Sequence, residues 1–157
     1  MTNDARMLEV LQQFRVLLRS ITRHYQWVEK QSGLAGAQLW ALSEIAARPG
    51  LKVSDLARQL ALHQSTASNL VNRLCALGLV AKARVSKDQR VVRLRPTDKG
   101  RRVLKQAPRP LVGVLQQALR DLPPKRLNAL HRELAEVLHR LRSKDASARM
   151  VPLLSDL

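Results

Sequence analysis

HQSTASNLVNRLCALGLVAKARVSKDQRVVRLRP, residues 63–96, is the stretch of sequence that decides the fold. Its first part repeats apolar residues at intervals of three and four, which predicts one helix over about residues 64–77. The apolar face of that helix consists of Ala67, Leu70, Val71 and Leu74. Gly78 follows as a left-handed stop. The opposite face carries short polar side chains and one arginine.

The second part of the stretch is rich in β-branched and basic residues. Residues 80–85 and 90–95 flank the polar turn 86–89 and predict a β-hairpin. Lys or Arg stands at almost every second position of this ribbon. Such a surface repels itself unless an anionic partner covers it.

Amphipathic spacing predicts further helices on both sides of this stretch. They lie at about residues 4–30, 38–46, 53–60, 98–120 and 124–141. Thr97 is expected to cap the helix that follows the hairpin, and Pro108 and Pro110 to bend or break it. The tail from Ser143 has no predicted structure. We therefore expect a mainly α fold with a small β-hairpin.

Composition limits the class of protein. The chain has 157 residues, 28 Lys plus Arg and 12 Asp plus Glu, which gives a net charge of +16. No apolar run reaches the ~18 residues that a transmembrane helix needs, and the first residues include charges of both signs. The single Cys75 allows no disulfide framework within the chain. We expect a cytoplasmic protein.

The positive charge is concentrated around the hairpin. Residues 48–102 hold thirteen Lys or Arg against three acidic residues, a net charge of +10 in about a third of the chain. A basic run can simply be a solvated surface that keeps a protein soluble. Here it directly follows a helix with a small polar face, which favours an interface with nucleic acid.

The two elements suit the two grooves of a DNA duplex. A helix in the major groove needs short donors and acceptors, with an Arg able to pair with guanine, and residues 65–73 supply them. A basic hairpin beside it can reach the minor groove, where narrow A·T-rich stretches attract Arg. Residues 84–95 supply that ribbon. Release of counterions from the phosphates would then offset the self-repulsion.

Several motifs occur in a family-specific order between residues 34 and 100. They are VSDLARQL, STASNLVNRL, the GLV of residues 78–80, Asp88-x-Arg90 and Thr97-x-x-Gly100. The segment resembles the winged helix-turn-helix of the MarR (multiple antibiotic resistance regulator) family. The resemblance covers about residues 34–104. It implies one MarR-type domain over residues 1–157, with a DNA-binding lobe at 34–104, dimerisation helices at 4–31 and 105–143, and a tail at 144–157.

The resemblance also implies a function. It implies a transcriptional regulator, expected to be a repressor, that binds a pseudo-palindromic double-stranded DNA operator as a homodimer. A small aromatic or phenolic molecule would control it. The Asp of the wing tip would orient a basic side chain, and the Arg would enter the minor groove. Asn69 stands where an Arg is frequent, so the operator sequence is expected to differ from the common one.

Candidate site residues follow from these patterns. The candidate DNA-binding residues are Gln64, Ser65, Thr66, Ser68, Asn69, Asn72, Arg73, Arg84, Lys87, Asp88, Gln89, Arg90 and Arg93. Three residues of the first two helices, His24, Trp27 and Trp40, are candidates for the effector site, with core or interface packing as the alternative. Cys75 is either an inert small residue or a reactive thiol. The sequence contains none of the common catalytic motifs and no metal-ligand spacing, so we expect no enzyme, no cofactor and no metal.

Two other classes of protein could carry this charge. One is an architectural protein that binds DNA without reading its sequence. The other is a helical module whose basic face meets an acidic protein. A steep salt dependence would be common to both kinds of DNA binder, whereas an affinity ratio of ~10³ or more for a cognate over a random duplex would indicate the specific regulator.

Overall fold

The computed structural model describes residues 2–84, 91–141 and 144–153. Within them the chain is mainly helical with one antiparallel hairpin, so the predicted fold class is confirmed. In chain order the elements are α1 (Asn3–Ser32), α2 (Gly36–Ala47), α3 (Val53–Leu60), α4 (Gln64–Ala76), β1 (Val80–Arg84), β2 (Val92–Pro96), α5 (Asp98–Gln106), α6 (Val114–Asp121), α7 (Pro124–Arg140) and a 3₁₀ helix (Ala146–Met150).

Most predicted boundaries lie within a few residues of the observed ones. Gly33 ends α1 with a positive φ of 69°, and Gly78 takes a φ of 70° after α4. The helix predicted over residues 98–120 is broken into α5 and α6. Pro108 and Pro110 lie between the two pieces, where their missing N–H groups cannot continue a helical ladder. The 3₁₀ helix in the tail was not predicted.

The hydrophobic core joins α2, α3, α4 and the hairpin of β1 and β2, which we call the wing, and it includes Val28 of α1 and Leu104 of α5. Its most deeply buried large side chains are Leu39, Leu42, Ile45, Leu56, Leu74, Leu94, Val28 and Val71. Aliphatic side chains of this kind each contribute roughly 1.5–3 kcal/mol when fully buried. The core is therefore aliphatic, which agrees with an aromatic content of only 3% in the sequence.

The wing is fastened to the core by backbone hydrogen bonds. β1 and β2 pair in an antiparallel register that sets Val80 opposite Pro96 and Arg84 opposite Val92. β2 is also tied to the loop after α2: Gly50 N donates to Leu94 O at 2.8 Å, and Leu94 N donates to Leu51 O at 2.9 Å. These bonds hold the base of the wing against the helical body.

The Thr-x-x-Gly motif closes the junction between α4, β1 and α5. Thr97 Oγ1 accepts from Gly100 N at 3.0 Å, which caps α5, and donates to Gly78 O at 2.7 Å. Gly100 packs against the backbone so closely that an added Cβ would lie 2.2 Å from Leu79 O. The motif therefore has a packing role, and only glycine fits at its last position.

The outermost helices leave large apolar faces uncovered. All 17 residues of α7 are described, and none of them is buried. Its exposed apolar residues are Leu127, Leu130, Leu134, Val137 and Leu138, and Leu141 is exposed directly after it, while Met7, Leu8, Val10, Leu11, Phe14, Val16, Leu17 and Leu18 are exposed on α1. Among the described residues, no helix combines the length and the apolar character needed to cross a membrane.

Candidate nucleic-acid interface

The position of α4 is set by the tight turn that joins it to α3. Ala61 adopts a left-handed conformation with φ 52°, and Leu62 N donates to Ala57 O at 2.9 Å. Helix α4 then buries Ala67, Val71 and Leu74 against the core. With this side buried, the polar side of α4 faces outward.

The predicted helix residues lie on this outward side. Gln64, Ser65, Asn69, Asn72 and Arg73 are exposed, and Thr66 and Ser68 are half-buried. Four of these predicted residues line one shallow depression together with Leu70: Thr66, Asn69, Asn72 and Arg73. The structure therefore brings together short polar groups and one guanidinium on a single helix face.

The described bases of the wing are divided between its two faces. Paired residues of an antiparallel ladder point to the same side, and successive residues alternate. Lys82 and Arg84 therefore share one face, opposite Leu94 and Val92, while Arg93 and Arg95 lie on the other. Arg93 is half-buried and its Nη1 donates to Gly50 O at 3.1 Å. This contact gives Arg93 a structural role in addition to the predicted one.

The wing and α4 form one continuous surface. Lys82 Nζ on β1 donates to Asn72 Oδ1 on α4 at 2.7 Å. The ion pairs formed between described residues lie within α1, within α3 and within α7, and between Glu44 and two arginines, Arg48 directly after α2 and Arg120 of α6. No described carboxylate thus neutralises a described base of α4, β1, β2 or α5. Lys82 was counted among the bases of the wing but was not predicted as a site residue.

The predicted contacts at the tip of the wing were assigned to Lys87, Asp88, Gln89 and Arg90. These four residues lie outside the described ranges. Arg84, the last described residue of β1, is exposed.

The three candidate effector residues lie in two different places. His24 and Trp27 line a shallow depression with Ser20 and Arg23. His24 is buried, and this burial lowers the pKa of its imidazole despite a hydrogen bond with the backbone of Pro110. Trp27 is exposed.

Trp40 lines a separate and more enclosed pocket of about 230 Å³. Tyr25, Leu62 and Gln116 form parts of its wall. Tyr25 Oη accepts from Gln116 Nε2 at 3.1 Å, and Gln116 Oε1 is buried without a hydrogen-bond partner among the described residues. Tyr25 and Trp40 thus give the pocket an aromatic lining.

The tail forms another wall of this pocket. Ala148, Arg149, Val151, Pro152 and Leu153 line it from the C-terminal side. Met150 O accepts from His63 N at 2.9 Å, directly before the first residue of α4. The tail therefore contacts both the pocket and the start of the outward-facing helix, which sequence reasoning did not foresee because the segment has no periodic pattern.

A buried carboxylate links the pocket to α6. Glu44 Oε1 accepts from Trp40 Nε1 at 3.1 Å and from Arg120 Nη2 at 3.0 Å, and Glu44 Oε2 accepts from Arg48 Nη2 at 2.5 Å. Burial raises the pKa of Glu44, but the hydrogen bonds from Arg48, Arg120 and Trp40 outweigh it and hold the pKa below its ordinary value of 4.5. This network joins α2 to α6 across the molecule.

Cys75 is half-buried on α4. Burial raises the pKa of its thiol above the ordinary value of 9.0, although the nearby Lys82 ammonium acts in the opposite direction. A raised pKa lowers the fraction of reactive thiolate at neutral pH. This environment favours the interpretation of Cys75 as an inert small residue.

Comparison with known proteins gives a family match for part of the chain. Residues 32–91 match the sequence model of the MarR family. The resemblance to the MarR family is confirmed. The repressor MdtR of Bacillus subtilis (strain 168), an HTH-type transcriptional repressor, is 36% identical over 73 residues. That alignment spans 46% of this chain and 46% of MdtR, so the chain spans about half the length of this relative.

Solved structures of transcriptional regulators share the fold over most of the chain. The transcriptional regulator BldR from Sulfolobus solfataricus is 27% identical, with a TM-score of 0.55, over 90% of this chain and 100% of that chain. PcaV from Streptomyces coelicolor, whose structure contains its natural ligand, is 26% identical, with a TM-score of 0.54, over 88% of this chain and 94% of that chain. The family is one of DNA-binding transcription regulators, not of enzymes.

The Glu44 network generates a prediction about stability. We expect Glu44→Gln to lower the free energy of unfolding by about 1–3 kcal/mol at neutral pH, because charge-assisted hydrogen bonds from two arginines are lost. The folded pKa is depressed, so the contribution is fully present above pH 4.5 and is lost as the pH falls through the folded pKa. Urea unfolding at pH about 7 and about 3 measures both effects.

Glu133→Gln is the matched control, since Glu133 is an exposed glutamate of α7. It should unfold like the parent protein at both pH values. A Glu44→Gln protein with unchanged stability at neutral pH, or a difference that grows on acidification, would contradict the role assigned to the network.

Proposed function

We propose that this chain is a sequence-specific regulator of transcription that binds a pseudo-palindromic operator as a homodimer and acts as a repressor. The observation that carries the proposal is the continuous surface of α4 and the wing, on which no described carboxylate neutralises the bases. Repression is the activity in the name of MdtR, which is 36% identical over the aligned segment. The proposal extends that activity to this chain.

Charge and shape together support DNA as the partner. Placing like charges side by side costs free energy in the isolated protein, and phosphates that replace their counterions recover it through ion release. Short side chains on α4 allow a close approach to base edges, which a face of long lysines would prevent. In this proposal residues 34–104 are the DNA-binding lobe, α4 enters the major groove and the wing contacts the flanking minor groove.

The uncovered apolar faces support a homodimer. An isolated amphipathic helix is marginal in water and takes most of its stability from packing of its apolar side. Helix α7 has no buried residue, yet five large apolar side chains lie along it and a sixth, Leu141, follows directly after it. A second copy of the chain would cover this face and the exposed apolar face of α1. We therefore assign the dimerisation helices to residues 4–31 and 105–143.

A groove between α1 and α6 offers a site for the partner's helix. It has a volume of about 650 Å³ and is lined by residues such as Leu17, Ile21, Leu115 and Ala118. Obligate homodimer interfaces are more apolar than ordinary surfaces and resemble a domain core cut in half. The groove has this character and lies next to the exposed residues of α1.

The 230 Å³ pocket is the proposed effector site. Its volume is below the ~300–1,000 Å³ of pockets for drug-sized ligands, so it suits a small molecule. Tyr25 and Trp40 offer aromatic faces, and Arg149 offers a cation for the carboxylate of an aromatic acid. Trp40 donates a hydrogen bond to Glu44, and Met150 of the tail accepts one from His63. A ligand bound in this pocket would therefore contact residues that are linked to α6 and to the start of α4.

Sequence-specific binding is tested first by selection from a random duplex pool. We expect a consensus with two-fold symmetry and an affinity ratio of ~10³ or more over a random duplex, together with a steep loss of affinity with salt. Asn69→Ala should change the preferred bases at one position in each half-site, by about 1–3 kcal/mol per site if the amide contacts a base. Fluorescence anisotropy on single-base variants measures these preferences.

Glu133→Gln again serves as a control and should reproduce the parent consensus. Equal affinity for selected and random duplexes would contradict the proposal and favour the architectural alternative. Failure to bind DNA at physiological salt would favour a partner protein instead.

Dimerisation is tested by a charge placed on the apolar face of α7. We expect Leu134→Glu to raise the dimer dissociation constant at least about a hundredfold, because an unpaired carboxylate at an apolar interface costs several kcal/mol. Analytical ultracentrifugation should give twice the 17.7 kDa chain mass for the parent and the single chain mass for the variant.

Arg132→Glu places the same new charge on the exposed polar side of α7 and should leave the protein dimeric. A monomeric parent protein, or a Leu134→Glu variant that stays dimeric, would contradict the assigned interface.

The effector site is tested with hydroxybenzoate as the probe. The chain contains two tryptophans, so Trp27→Phe leaves Trp40 as the single indole reporter and Trp40→Phe leaves Trp27. We expect hydroxybenzoate to change the fluorescence of the Trp40 reporter and to lower operator affinity, with about tenfold weaker ligand binding in Arg149→Gln if the ion pair contributes about 1.4 kcal/mol.

A response confined to the Trp27 reporter would indicate that the ligand binds in the depression beside His24 instead. An absence of any response with either reporter would contradict control by this class of ligand.

A further inference from the structure

The contact between Lys82 and Asn72 connects the wing to α4 through side chains alone. Both residues are exposed, and the Nζ to Oδ1 distance is 2.7 Å. Asn72 lies in the same depression as Thr66, Asn69 and Arg73, which places it on the surface proposed to face the duplex. Lys82 belongs to β1, on the face of the strand that it shares with Arg84.

The chemistry of the contact decides how the amide of Asn72 is oriented. A lysine ammonium has three donors and no acceptor, whereas an asparagine amide has two N–H donors and one carbonyl oxygen. Only the carbonyl oxygen can receive the ammonium, because the opposite orientation would set donor against donor. The amide nitrogen therefore points away from Lys82.

This orientation changes what Asn72 can offer to DNA. An unconstrained asparagine can bind adenine with both ends of its amide, accepting from N6 and donating to N7. With Oδ1 occupied by Lys82, a base amino group would have to approach an oxygen that already faces a cation. The remaining N–H donors instead suit base edges that present only acceptors, as the O6 and N7 of guanine do.

The hairpin and the core restrict the position of Lys82. Lys82 pairs across the hairpin with Leu94, which is fully buried and is bonded through its backbone to Gly50 and Leu51. The backbone of the wing is thus anchored at the level of Lys82. On the α4 side, Val71 and Leu74 bury the helix around Asn72.

We propose that Lys82 is a specificity-determining positioning residue, which orients the Asn72 amide with its N–H donors away from the lysine and so directs them to an acceptor on a base edge. The inference rests on the proposed function, because it needs a protein that reads DNA sequence. It assigns to a residue of the wing strand a part in major-groove recognition by α4.

The test compares base preference in four proteins: the parent, Lys82→Met, Asn72→Ala and the double variant. Each is titrated with duplexes that carry all four base pairs at every position of the selected consensus. Loss of the Lys82 charge weakens binding to every duplex by a similar factor, so it cancels from the ratio between bases. Release of the Asn72 amide changes that ratio at one position only.

We expect Lys82→Met to reduce the preference for guanine over adenine at the Asn72 position by about tenfold, the scale of one good base contact. The effect should vanish in the Asn72→Ala background. Lys82→Arg, which keeps the charge and the donors, should retain the parent preference. Thermal unfolding of all variants checks that the DNA-binding lobe stays folded.

The outcomes separate the two proposals. If the parent protein selects no consensus, the proposed function and this inference are both overturned. If a consensus exists but Lys82→Met keeps every base ratio, only the inference is overturned. A coupling between Lys82 and Asn72 of equal size on all four base pairs would indicate a phosphate contact and would also overturn the role in specificity.

Discussion

Burial of one side of α4 is the constraint on which the proposed DNA-facing surface depends. Ala67, Val71 and Leu74 pack into a core that also contains residues of α2, α3 and β2. Because these side chains lie on one stripe of the helix, the stripe opposite them must face outward. The orientation of the polar residues is thus a consequence of hydrophobic packing, and it requires no interaction among the polar residues themselves.

The same core controls the position of the positive charge. Leu94 anchors β2 beside the loop after α2, and the Thr97 hydroxyl joins the end of the wing to the end of α4. Lysine and arginine side chains that would otherwise move apart are therefore held on adjacent elements. Packing of the aliphatic core offsets the repulsion between these positive charges, and a polyanionic partner would remove that repulsion. If the chain binds DNA as proposed, fold stability and affinity for DNA are in this sense opposed in the isolated chain.

The contacts that link the pocket beside Trp40 to α6 and to the start of α4 are polar. Glu44 bonds with Trp40 at the pocket and with Arg120 on α6, while the tail contacts both the pocket and the residue before α4. In contrast, the surfaces of α1 and α7 are apolar and uncovered. A movement at the pocket would therefore be transmitted through a few directional bonds to helices whose packing is completed by a second copy in the proposed dimer. This arrangement is suited to a switch, because directional bonds can exchange partners while apolar packing persists.

The sequence by itself determined the helices, the hairpin and the candidate face of α4. Local periodicity, glycine and proline positions and the Thr-x-x-Gly motif depend on neighbours within a few residues, so they can be read from the chain. Alternation along β1 likewise puts Lys82 and Arg84 on one side. The family resemblance then implied that these elements form a winged helix-turn-helix.

Only the tertiary structure decided which distant residues meet. The contacts of Lys82 with Asn72, of Glu44 with Arg120 and of Met150 with His63 join different elements or distant parts of the chain. No local pattern specifies these pairs, because each depends on how several packed elements are placed relative to one another. Trp40 lines a different cavity from His24 and Trp27 for the same reason. The sequence places all three residues on the first two helices, and the packing of those helices decides which cavity each residue lines.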